Sequence, residues 1–101
     1  MVQTVVLYKK PEDTEAFDKY YFGTHIPLVQ KLPGVLRAEI SKFTGSPAGE
    51  APYYLMATMY FETMAEMMAA FGTPEGRAVS KDVRNFAKAE DVTMIFGEVQ
   101  S

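Results

Sequence analysis

The chain has 101 residues, with 10 Lys plus Arg against 13 Asp plus Glu, a formal net charge of -3 and 48% hydrophobic residues. That apolar share is enough for a core and argues against disorder, while the mild acidity provides no basic field for nucleic acid and no polybasic face for a membrane. With no cysteine and a single histidine, disulfides, thiolate metal sites, iron–sulfur clusters and thiol catalysis are excluded, and a His-based zinc or haem site lacks ligands. The length suits one domain over residues 1–101. No apolar run approaches the ~20 residues a membrane helix needs, and no basic segment precedes the first apolar run as a signal peptide requires. The expectation is a soluble, cytoplasmic protein.

Residues 3–9 read as a strand halted by Lys10-Pro11, with Val5 and Leu7 on one face and Thr4, Val6 and Tyr8 on the other. Asp13 or Thr14 caps a helix whose apolar stripe is Ala16, Phe17, Tyr20 and Tyr21. Gly23 is a weak point, Thr24 a second cap, and Pro27 fits a first helical turn. The pattern predicts two pieces, 14–22 and 25–32, joined by a kink and ended by Leu32-Pro33-Gly34.

Residues 35–43 alternate again, Leu36, Ala38 and Ile40 against Arg37, Glu39 and Ser41; residues 45–52 hold two glycines and two prolines and read as a loop. A third strand covers 53–61. Thr63 and Glu66 form a capping box for a helix closed by Gly72, and Thr73-Pro74 begins a longer one with Ala78, Val79, Val83, Phe86 and Ala87 on its buried stripe. A last strand covers 92–99. The fold class is therefore α+β: ferredoxin-like βαββαβ, a four-stranded antiparallel sheet with both helices on one face.

The helix-free face of such a sheet should be polar in a monomer, yet the third strand is apolar on both sides, with Leu55, Ala57, Met59 and Phe61 against Tyr54, Met56, Thr58 and Tyr60. Strands apolar on both sides are normally covered on both sides. Burial of each large side chain contributes about 1.5–3 kcal/mol. Half a dozen of them exceed the few kcal/mol that so small a domain holds alone. The pattern predicts a homodimer packed sheet against sheet, an α/β barrel around a shared interior. The alternative is a monomer with an unusually apolar face.

Residues 5–34 resemble the EthD family, named for ethyl tert-butyl ether degradation. The resemblance is carried by Lys9-Lys10 at the strand end, Phe17-Asp-Lys-Tyr-Tyr21, His25-Ile-Pro-Leu-Val29 and Leu32-Pro-Gly34, with weaker support from Phe61 and Asp82-Val-Arg-Asn-Phe86. It implies a dimeric α/β barrel. The implied setting is oxidative catabolism of ether or aromatic, polyketide-like compounds, beside fold relatives that include cofactor-independent monooxygenases, isomerases and haem-handling barrels. Fold analogy alone does not choose among these chemistries.

His25 is the one side chain whose ordinary pKa lies near neutrality, which makes it the candidate proton carrier; the competing reading is an imidazole bonded to a backbone carbonyl at the kink. A barrel-facing set of Tyr8, Arg37, Glu39, Tyr54, Thr58 and Tyr60 supplies polar handles on apolar walls, and Tyr21 closes the cleft near His25. Tyr8 and Tyr60 join His25 as catalytic candidates, the tyrosines stabilising a developing oxyanion. Arg37, Glu39, Tyr54, Thr58 and Tyr21 are candidate ligand contacts. No phosphate loop, nucleophile elbow or metal-ligand spacing occurs. The expected ligand is a small apolar or aromatic organic molecule handled without a cofactor. A carrier for a partner oxygenase is the non-enzymatic alternative.

Overall fold

The computed structural model covers residues 1–101. Its elements are β1 (Val2–Tyr8), α1 (Thr14–Tyr20), a five-residue π-helical turn (Tyr21–His25), α2 (Ile26–Val29), β2 (Arg37–Lys42), β3 (Leu55–Phe61), α3 (Met64–Gly72), α4 (Pro74–Asp82) and β4 (Val92–Glu98). The strands form one antiparallel sheet in the order β2-β3-β1-β4, the ferredoxin-like arrangement that the element order predicts. No helix is long and apolar enough to cross a membrane.

The register decides which residues meet the helices. Val2, Thr4, Val6 and Tyr8 pair with Phe61, Met59, Ala57 and Leu55, and all eight are buried. Around Tyr8 they form an aromatic core with Phe17 and Tyr21 from the first helical segment. Nearer the other end of β1, Val2, Met59 and Phe61 meet Met67 and Ala70 of α3 and Val79 of α4. On the helix-free face, Val5, Leu7, Met56 and Tyr60 are half-buried and Thr58 is buried between its neighbours. Edge strand β4 exposes Met94, Ile95 and Phe96 by about half, so apolar surface lies on both of its faces.

The break expected at Gly23 takes the form of a π turn. The chain runs from α1 into α2 through the wider π turn, and Thr24 caps nothing. Pro27 has no N–H to give the carbonyl four residues back, and the widened turn ends at His25, two residues before it. Single π turns of this kind recur at functional sites. The last helix is also shorter than expected, stopping at Asp82; Ala78 is exposed, and Phe86 follows a short 3₁₀ turn.

At the starts of α3 and α4 the threonine caps form as read, although the Glu66 carboxylate makes no return bond to the Thr63 amide. The Thr63 hydroxyl accepts from the Glu66 amide at 3.1 Å. Thr73 joins α3 to α4: its hydroxyl donates to the Ala70 carbonyl at 2.6 Å and accepts from the Gly76 amide at 3.1 Å. Gly76 permits this tight corner, because a Cβ there would lie 2.3 Å from the Ala70 carbonyl oxygen and 2.5 Å from Phe71 Cα. Alanine at a helix interior is ordinarily favoured over glycine by about 1 kcal/mol. Here the backbone clash reverses that sign. Gly76→Ala should lower stability by about 1–3 kcal/mol, read from the midpoint of denaturant unfolding; an unchanged or raised midpoint would refute the corner's tightness.

Candidate functional site

A cavity of about 210 Å³ lies between the sheet and the helices, inside the single chain. Its floor comes from Val6, Tyr8, Ala57 and Met59 of the central strands, and its roof from Tyr21, His25 and Ile26 of the first helical segment with Val79, Ser80 and Val83 around α4. Fourteen of its sixteen lining residues are hydrophobic, the exceptions being His25 and Ser80. Its lining includes the exposed residues Ala38, Ser80 and Met94.

The π turn places Tyr21 and His25 on the inner side while Phe22 stays largely exposed. His25 is 3% exposed. Its ring lies 4.7 Å from that of Phe86 and 5.3 Å from that of Tyr21. Nδ1 is 2.9 Å from Asp82 Oδ2, and no protein atom bonds Nε2. An ionised carboxylate can only accept, so Nδ1 carries the proton and donates it to Asp82. Nε2 is left as a lone-pair nitrogen on a residue that lines the cavity. Asp82, itself buried, accepts at Oδ1 from the Tyr20 hydroxyl at 2.6 Å and from Asn85 Nδ2 at 3.0 Å.

Burial lowers the pKa of His25 below its ordinary 6.5, and the Asp82 bond opposes that shift only in part. The imidazole is therefore neutral at pH 7. Burial works against the Asp82 carboxylate, but the bonds from Tyr20, Asn85 and His25 outweigh it and hold its pKa below the ordinary value. Burial pushes Tyr8 and Tyr21 far above the usual phenol range, with the neighbouring Tyr21 raising Tyr8 further. Both remain O–H donors at any physiological pH. A neutral base and two phenols thus line one apolar pocket, which is what proton transfer with oxyanion stabilisation requires.

The sheet divides the residues singled out from sequence. His25, Tyr8 and Tyr21 meet at the cavity. Tyr8 is corrected in placement: it pairs with Leu55 under the helices and does not share a face with Thr58 and Tyr60. Arg37, Glu39, Thr58 and Tyr60 lie on the helix-free side, where the Tyr60 hydroxyl donates to Glu39 at 3.0 Å and the Arg37 guanidinium sits 4.5 Å above the Tyr60 ring. Tyr54 lies elsewhere again, its hydroxyl donating to Asp18 on α1 at 2.9 Å beside Lys42. The backbone-carbonyl partner considered for His25 is replaced by Asp82. Sequence reasoning missed Asp82 as the partner of His25; an acidic residue set within the apolar spacing Val79, Val83, Phe86 signals a buried carboxylate but not its partner. No group of three or more His, Asp or Glu side chains is gathered where it could hold a metal ion.

The EthD domain matches residues 9–90. The chain belongs to the EthD family. An EthD-family protein of known structure from Bacillus halodurans is 41% identical, covers 99% of both chains and superposes with a TM-score of 0.94. An uncharacterized 11.0 kDa protein from the thcB-thcC intergenic region of Rhodococcus erythropolis is 38% identical over 100% of this chain and 97% of its own length. More distant structures show the shared fold alone. SnoaB, a cofactor-independent oxygenase from Streptomyces nogalater, is 11% identical with a TM-score of 0.71 over 99% of this chain and 93% of its own. A dimeric ferredoxin-like protein from Thermobifida fusca is 13% identical with a TM-score of 0.73 over 97% and 90%.

Since the chain has one histidine, its imidazole Cε1–H gives a single NMR signal that needs no assignment. Its titration midpoint should lie below 6.5, and Asp82→Asn should lower it further by removing the anion that favours the charged ring. Protonating His25 then favours the unfolded chain, so stability falls as pH drops below 6.5 towards the folded midpoint. A midpoint at or above 6.5 would contradict a dry, neutral imidazole.

Proposed function

We propose that this EthD-family protein is a small cytoplasmic enzyme of oxidative catabolism that moves a proton on a small apolar or aromatic organic ligand without a cofactor. The observation that carries the reading is the bare Nε2 of His25, backed by Asp82, at the wall of an apolar cavity. In the proposed step Nε2 takes a proton from an acidic C–H or O–H of the ligand. Asp82 accepts the Nδ1–H bond and stabilises the imidazolium that forms. The electron pair left on the ligand collects on an oxygen within reach of the Tyr8 and Tyr21 hydroxyls. Returning the proton at another atom completes an isomerisation; in the oxidative outcome dioxygen is reduced by the carbanion's electron pair, a C–O bond forms, and the resulting peroxide anion takes the proton back from His25 to leave a hydroperoxide and the neutral imidazole. Fold likeness to a cofactor-independent oxygenase supports this reading by analogy.

His25→Asn should lower turnover of a small enolisable or phenolic ligand by about 10²–10⁴-fold while an apolar dye still enters the cavity; full turnover in the variant would remove His25 from the chemistry. The almost wholly apolar lining also suits a carrier for a partner oxygenase. That reading expects binding without turnover, unaffected by the same substitution.

We further propose a homodimer that buries the helix-free face, where Val5, Leu7, Met56 and Ile95 are incompletely covered; fold neighbours described as dimeric support it. On this arrangement Arg37, Glu39, Thr58 and Tyr60 belong to the subunit interface. Sedimentation equilibrium should give twice the 11.3 kDa protomer mass, and Val5→Asp, which places a charge against the partner, should give the protomer alone. A wild-type protein that sediments as a single protomer would refute the dimer.

A further inference from the structure

Asp82 stands between two compartments. On its inner side it holds His25 at the wall of the cavity. On the outer side lies an open surface cleft of about 470 Å³ whose walls include Tyr20, Asn85 and Phe86. Two donors reach Asp82 from that outer side, the Tyr20 hydroxyl and the Asn85 amide, and both converge on one oxygen, Oδ1. The other oxygen, Oδ2, faces only His25. A carboxylate gripped in this way can neither rotate nor turn its second oxygen to solvent. The grip spans three segments: Tyr20 ends α1, Asp82 ends α4, and Asn85 lies in the 3₁₀ turn that follows. The Tyr20 ring also packs 5.6 Å from Phe86, whose ring in turn closes on His25.

We propose that Tyr20 and Asn85 are positioning residues that lock the Asp82 carboxylate onto His25 from the outer cleft, so that the imidazole presents a fixed, bare Nε2 to the cavity. The proposal rests on His25 being the base of the preceding reading, although its test requires no substrate. The titratable groups around the imidazole are Asp82 from α4, Tyr20 and Tyr21 from the first helical segment, and Tyr8 from β1. Only Asp82 among them is charged at neutral pH.

Removing a donor from Oδ1 frees the carboxylate to turn, and water from the cleft then competes with the Nδ1–H group for Oδ2. The weakened bond to the anion favours imidazolium less, the same direction as Asp82→Asn. Tyr20→Phe keeps the ring against Phe86 and deletes only the hydroxyl. It should lower the His25 NMR midpoint by about 0.5 unit, roughly a threefold loss in proton affinity. Asn85→Ala, at an exposed position, should shift it the same way and serves as the test if Tyr20→Phe folds poorly. A purely structural role would lower the melting temperature and leave the midpoint where it is. An unchanged or raised midpoint in folded variants overturns the proposal. A lowered midpoint together with no turnover of any substrate upholds the lock and sinks the enzymatic reading, so the two fail separately.

Discussion

The hydrogen bond between His25 and Asp82 is the point at which fold and site depend on one another. It joins side chains 57 residues apart, tying the first helical segment to the end of α4 across the roof of the cavity. Deleting either partner leaves the other buried without its bond, a loss of about 1–3 kcal/mol in a chain whose whole stability is a few times that. The bond fixes the imidazole tautomer, and through it the direction in which a lone pair points.

Around that bond the chain is built almost entirely of rings. Tyr8 meets Phe17, Tyr21 and Phe86 at 5.5–5.7 Å, mostly edge to face, an arrangement that aromatic quadrupoles favour. These rings exclude water, and that exclusion keeps His25 neutral and the phenols protonated. One structural cause therefore accounts for the electrostatics of base and donors alike. The apolar lining leaves few groups able to bind a charged ligand, so the pocket favours neutral molecules of modest size.

The two faces of the sheet do different work. The face under the helices forms the cavity within one chain. The opposite face carries half-buried aliphatic residues with a polar margin of Arg37, Glu39 and Tyr60. The sequence pattern placed apolar residues on both faces correctly. It pointed to a cavity on the helix-free face, whereas the cavity within the chain lies under the helices, because polar side chains on Thr58 and Tyr60 look like pocket handles when the positions of the helices are unknown. Tyr8 was grouped with them for its hydroxyl, although its alternation with Thr4 and Val6 already set it beside the buried stripe.

Local pattern sufficed for what local forces decide. The order of strands and helices, the two faces of β1, β2 and β3, and the Thr63 and Thr73 caps follow from period-two alternation and short-range hydrogen bonding, and the lone histidine stands out by counting. The π turn was not legible, since Gly23 and Pro27 are equally compatible with a kink. The partner of His25 was not legible either, because nothing near position 25 points to position 82. Tertiary packing alone decided that Asp82 reaches the imidazole, that Tyr20 and Asn85 hold Asp82, and that the cavity lies beneath the helices: each depends on segments distant in sequence meeting at separations of about 3 Å, which periodicity within any one segment does not encode.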